Sequence, residues 1–155
     1  MKQGEIKKIS NEQKAYIAGF FDADGCITIS KRKSASKLFI NDYQIVFLIV
    51  NTDTNIIEWL KNVIGAGTSY ILGKNSYNKN WRPCHRYQLT GEKARKLLNE
   101  IYPYLIIKKD RVQMALNMPM TRAKGRSGKN GRTEEEYCEQ GNIYNQIKKE
   151  NKRGI

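Results

Sequence analysis

The hydrophobic period of this chain changes at one point, and that change limits the folds open to it. From Asn11 to Asp24 the apolar side chains recur at helical spacing. From Cys26 to Ser30 they alternate at a period of two. The junction, Asp22-Ala23-Asp24-Gly25, is therefore a helix end followed at once by a strand, with Gly25 placed as the C′ glycine. Two carboxylates at the negative end of a helix dipole cost roughly 0.3–1 kcal/mol each unless a cation offsets them. A local rule broken without visible compensation points to a functional site.

Ser10 and Gln13 have the spacing of a capping box, which starts this helix near Asn11. On a 3.6-residue wheel Tyr16, Ile17, Phe20 and Phe21 form a bulky core face. Ala15, Ala18, Gly19 and Asp22 form a small-residue face that a second helix could approach closely.

Beyond Gly25 the first strand puts Ile27 and Ile29 on one side and Thr28, Ser30 and Arg32 on the other. A basic hairpin follows, then a second strand from Tyr43 to Val50 with Gln44 on the polar side. Asp53 and its neighbours can cap a helix over Ile56–Ile64, which Gly65-Ala66-Gly67 stops. A second strand pair, Thr68–Leu72 and Trp81–Thr90 around a turn at Gly73–Asn80, carries Arg86 and Gln88 as polar-face candidates. Helices over Glu92–Ile101 and Lys108–Met118 follow, bounded by Pro103 and Pro119. The order is α+β, αββαββα with further C-terminal helices, and it predicts a four-stranded antiparallel sheet with helices on one face. Residues 1–9 read as a tail, 10–119 as the core and 120–132 as a basic, Gly-containing linker that also contacts phosphate. Residues 133–155 read as a helix opened by the capping-box pair Thr133 and Glu136 and ending in a basic tail.

Composition narrows the partner. Of 155 residues, 28 are Lys or Arg and 15 Asp or Glu, a net charge of +13, which points to an acidic polymer such as nucleic acid. No apolar run approaches the ~20 residues of a membrane span, and no basic amphipathic segment suggests a membrane surface. Met1–Ile9 lacks the apolar core of a secretory signal, and three scattered cysteines suit a reducing, intracellular setting. Cys84 and His85 lack further ligands in reach and read as structural. The single histidine, with no evident Ser or Cys partner, argues against a nucleophilic triad.

A lone Asp holds Mg²⁺ poorly, because the ion commonly takes one or two carboxylates together with phosphate oxygens. Two copies of the first helix meeting across a two-fold axis would bring two Asp24 carboxylates side by side, an arrangement suited to metal-assisted phosphodiester hydrolysis. Ile17-Ala18-Gly19-Phe20-Phe21-Asp22-Ala23-Asp24-Gly25 resembles the motif that names the LAGLIDADG homing endonucleases. Ala, Gly, Asp, Ala, Asp and Gly match, and Ile, Phe and Phe replace Leu, Leu and Ile. The later order of ribbons and helices and the segment Tyr102–Lys109 are similar too, so the resemblance covers about residues 10–118. One motif copy places the chain with the single-motif, homodimeric branch.

The resemblance implies Asp24 as the catalytic acid and metal ligand with the Ala23 carbonyl nearby, and Lys108 beside the cleaved phosphate. It puts Asn51 where some relatives carry a water-ordering Gln, a departure from the pattern. Asp22 is implied to hold the helix pair, together with Ala15, Ala18 and Gly19. The polar sheet face of Thr28, Ser30, Arg32, Gln44, Tyr70, Arg86 and Gln88 is implied to lie in the major groove of double-stranded DNA. The expected cofactor is Mg²⁺, with Mn²⁺ as a substitute, and no small-molecule cofactor is expected. A non-cleaving scaffold relative, an RNA maturase or a repressor, is the competing reading. A ribosomal or RNA-coating protein explains the charge but not the acid-ended helix.

Overall fold

The structure, a computed structural model, describes residues 4–34, 39–72, 82–120 and 132–152. Helix α1 (Asn11–Asp24) runs directly into strand β1 (Gly25–Lys33), which is followed by β2 (Asn41–Asn51), α2 (Thr54–Ile64), β3 (Thr68–Leu72) and β4 (Cys84–Thr90). Then come α3 (Gly91–Ile101), a 3₁₀ turn at Tyr102–Tyr104, α4 (Lys109–Leu116) and α5 (Glu134–Lys152). The strands form one antiparallel sheet in the order β1-β2-β4-β3. The turn expected at Gly73–Asn80, the linker over 121–131 and the last three residues lie outside the described residues.

The capping box at Ser10 forms, with the Gln13 N–H donating to Ser10 Oγ and the Ser10 N–H to Gln13 Oε1. The other end differs from a left-handed C′ glycine. Gly25 is extended, at φ −85° and ψ 163°. Its glycine is required by space, because a Cβ there would sit 2.1 Å from the Phe21 ring and 2.6 Å from the Phe21 carbonyl oxygen. At Gly65 the expected left-handed cap of α2 is present, with φ 76°.

Strand parity sorts the sheet. Ile27, Ile29, Ile45, Phe47, Ile49, Tyr87 and Leu89 are buried under the helices, with Phe21 stacked on Phe47 at 4.5 Å. Tyr87 carries a hydroxyl into this core and donates it to Ala66 O at 2.7 Å; burial pushes that phenol well above its usual range. The opposite parity faces away from the helices. Register pairs Ser30 with Gln44, Gln88 with Thr68 and Arg86 with Tyr70, so the seven polar residues singled out in the sequence share one face.

The face of α1 differs from the wheel. Ile17 and Phe21 are buried, but so are Ala18 and Asp22, while Tyr16 is exposed and packs edge-on to Trp59. Ala15 and Gly19 remain on the surface, and a Cβ at Gly19 would meet nothing within 4 Å. The residues open to a second helix are thus Ala15 and Gly19, because Ala18 and Asp22 turn into the chain's own interior. Ahead of α1, Ile9 is buried and the Lys7 N–H pairs with Ile64 O, so part of residues 1–9 is laid against α2. Helix α5 begins with the expected Thr133–Glu136 capping box and packs on β1, β2 and α4 through Ile143 and Ile147. Arg132, read with the linker as a phosphate contact, is instead buried.

Candidate active site at the end of the first helix

The compensation missing from the sequence of α1 comes from the segment before α4. Lys108 Nζ donates to Phe21 O at 3.0 Å and to Asp22 O, two carbonyls of the last turn of α1. In return the Asp22 carboxylate accepts the backbone N–H groups of Ile106 (2.7 Å), Ile107 (3.2 Å) and Lys108 (2.9 Å). Each chain end thus caps the other. A cation sits on the negative end of α1, and an anion collects three N–H groups of the connector that leads into α4. Burial opposes ionisation of Asp22, but those three N–H donors and the Lys108 charge outweigh it and hold the carboxyl below its usual range. Burial pulls the Lys108 ammonium below its usual value; Asp22 and, more weakly, Asp24 resist that pull, and Arg111 adds to it.

Asp24, two residues beyond Asp22, is exposed. Asn51, at the end of β2, donates its amide to Asp24 Oδ2 at 3.0 Å. The orientation of that amide is fixed from the other side, where Asn51 Oδ1 accepts the Asp53 N–H at 2.8 Å. Asp53 in turn caps α2 through the Asn55 N–H. The three residues singled out for chemistry, Asp24, Lys108 and Asn51, therefore meet at the C-terminal end of α1, and exposed Ala23 lies between the two aspartates.

Cys26, on the open sheet face, ties this corner to the polar surface. Burial raises its thiol, and the positive charges of Lys108, Arg111 and Arg86 oppose that rise. Arg111 was not picked out from the sequence. Its signal was its place one helical turn after Lys108, which puts both on the same side of α4. Arg86 stacks on its register partner Tyr70 at 5.5 Å, and its Nε is buried with no hydrogen-bond partner. Thr28, Ser30, Gln44 and Gln88 are half-buried on the same face and Arg32 is exposed. His85 meets Thr54 Oγ1 at 3.0 Å, a structural contact.

Among the described residues no three His, Cys, Asp or Glu side chains cluster. A divalent cation would have one carboxylate here, Asp24, with an electron-rich helix end behind it. That donor set is adequate for Mg²⁺ only where phosphate oxygens or a second chain complete the shell.

This geometry agrees with a match of residues 17–109 to the family model described as LAGLIDADG endonuclease. The chain belongs to the LAGLIDADG endonuclease family. The match starts at Ile17, inside α1, and ends at Lys109, so it spans the corner just described. Solved LAGLIDADG structures share the fold. The homing endonuclease I-CvuI in complex with DNA is 22% identical with a TM-score of 0.56, over 69% of this chain and 65% of that one. The archaeal intron-encoded I-Vdi141I in complex with DNA is 17% identical with a TM-score of 0.53, over 90% and 96%. I-LtrWI bound to its target DNA is 21% identical with a TM-score of 0.60, over 90% and 45%. This LAGLIDADG chain thus spans about 65% of the length of the I-CvuI chain and less than half of I-LtrWI. No curated protein sequence matches it significantly. No described helix is long and apolar enough to cross a membrane.

Proposed function

We propose that the chain is a homodimeric, site-specific endonuclease that hydrolyses both strands of a long, roughly palindromic DNA target with Mg²⁺, which Mn²⁺ can replace. The observation that carries this is the convergence of Asp24, Asn51 and Lys108 at the end of α1, beside a polar sheet face. The family supports nuclease chemistry, and the complexes of I-CvuI, I-Vdi141I and I-LtrWI with DNA support a duplex as partner.

In this reading the Asp24 carboxylate and the Ala23 carbonyl hold the metal. When bound, the metal polarises the scissile phosphate and acidifies water. Asn51 orients the carboxylate and has its second amide N–H free to order water. Lys108 keeps a positive charge near the departing oxygen, with Asp22 fixing its backbone. Arg86 and Arg32 offer guanidinium donors to bases or phosphates from the open face, along with Thr28, Ser30, Gln44, Tyr70 and Gln88.

The second chain joins through the exposed small residues Ala15 and Gly19 of α1. Ile106 and Ile107, 85% and 76% exposed beside Lys108, give that joint an apolar margin. Exposing a supercoiled plasmid library of candidate sites to the wild type and to Asp24→Asn tests the reading. Wild type should linearise a subset of plasmids with Mg²⁺ and none with chelator, and Asp24→Asn should linearise none. Undiminished metal-dependent cutting by Asp24→Asn would remove that residue from the mechanism.

One contact favours a second reading, a binding protein on the same scaffold such as an RNA maturase or repressor. The Asn51 amide already occupies an oxygen of Asp24. Sequence-selective binding that survives chelator, with no product from any duplex, would select it.

A further inference from the structure

Arg132 lies outside the family match, between the linker and α5, and its side chain is fully buried. One terminal nitrogen donates to Gln140 Oε1 at 2.9 Å. The other donates to Asn41 O at 2.9 Å and lies 3.3 Å from Asp42 Oδ1. The guanidinium is flanked by two rings, Phe39 at 4.7 Å and Tyr137 at 4.8 Å. Two further bonds extend the network: Asn41 Nδ2 donates to the Tyr137 hydroxyl at 3.3 Å, and Gln140 Nε2 to Pro119 O at 2.6 Å. One cation thus joins the start of β2, the first turns of α5 and the segment after α4.

The placement of Asp42 gives this network a consequence for the sheet. Asp42 is the register partner of Arg32 and shares the open face with it and with Gln44. A free carboxylate there would repel a phosphate backbone and would compete for the Arg32 guanidinium. Arg132 neutralises Asp42 from behind, and Arg32 stays exposed. Lysine could supply the charge but neither the fork of donors nor the flat face between two rings.

We propose that Arg132 is a positioning residue for DNA recognition. It fixes the far end of the β1–β2 ribbon against α5 and cancels the Asp42 charge, and so sets which bases Ser30, Arg32 and Gln44 reach. This rests on the endonuclease reading above, and it assigns to the C-terminal helix a part in specificity, separate from the chemistry at Asp24. The ribbon end is remote in register from that corner: Arg32 lies eight residues along the chain from Asp24, about 26 Å of extended strand.

The test compares full-length wild type with Arg132→Lys and Phe39→Leu. A randomised duplex library is selected for binding in Ca²⁺, and the winning duplex is then cleaved under single-turnover conditions with Mg²⁺. Phe39→Leu removes one flanking ring without unburying a charge, and carries the test if Arg132→Lys does not fold. The expected result is a loss of about tenfold in base discrimination at the outer positions of each half-site, with Kd weakened to match. Discrimination at inner positions and the cleavage rate of bound duplex stay within about twofold of wild type. An unchanged positional profile in a folded variant, or one flattened equally at all positions, overturns the proposal. A wild type that enriches no sequence at all refutes the endonuclease reading itself.

Discussion

Asp22 and Lys108 exchange hydrogen bonds across 86 residues of sequence, and this exchange explains why two acids can end a helix. Asp24 is left exposed, with one oxygen on the Asn51 amide, while Asp22 is consumed in holding Ile106–Lys108. Asp22→Asn keeps the shape but loses the charge that three N–H groups share, and should lower stability by about 2–3 kcal/mol at neutral pH in urea unfolding. The pH dependence has a definite sign. The folded carboxyl titrates below its ordinary 3.8, so its stabilisation is complete above that value and is lost as pH falls through the folded pKa. The gap between wild type and Asp22→Asn should therefore close on acidification, and a constant gap would reject the ion's role. Lys108→Met should slow cleavage of bound duplex by about 10²-fold while changing Kd much less, measured in single turnover. The reciprocal cap was invisible in sequence, because nothing in a wheel or a period reports a partner so far along the chain. Asp24, Asn51 and Lys108 were legible through the motif and its neighbours, and the Asn51–Asp24 bond then gave Asn51 a definite partner.

Helix α1 shows where helical periodicity stops being informative. The wheel separates big from small residues, yet Ala18 and Asp22 are buried and Tyr16 is exposed, because the connector before α4 covers one side of the helix. Strand parity was read correctly on β1, β2 and β4, since a period of two leaves only two faces and register carries the choice from strand to strand, whereas β3 is exposed on both faces. Two glycines of the same motif should respond in opposite ways. Gly25→Ala drives a Cβ into Phe21 and should cost about 2–3 kcal/mol, seen as a lowered urea midpoint. Gly19→Arg meets open space within one chain and should fold with little loss. By blocking the approach of a second helix, it should sediment as a monomer and fail to linearise target. A Gly19→Arg protein that stays dimeric would move the joint elsewhere.

At the scale of the whole molecule, a net charge of +13 and a polar sheet face make binding to duplex a counterion-release process. Affinity for the selected duplex should fall by about 10³ or more between 50 and 200 mM salt, and a flat response would argue against a phosphate-tracking surface. The antiparallel sheet with helices on one face was legible from element order. The C-terminal helix was legible as a helix, but its clamp on the ribbon through Arg132 was not, since a buried arginine and a linker arginine look alike in sequence.

In the proposed dimer the end of α1 is half of an active site and a second chain brings the other half. Mixing wild type with Asp24→Asn at fixed total concentration and counting linear plasmid tests it directly. If each double-strand cut needs Asp24 from both chains, linear product follows the square of the wild-type fraction, with about one quarter remaining in an equal mixture, about half of the dimers mixed and able at most to nick, and about one quarter fully mutant and leaving plasmid uncut. A fall in simple proportion to the wild-type fraction would mean that one chain cuts alone, and would contradict the account.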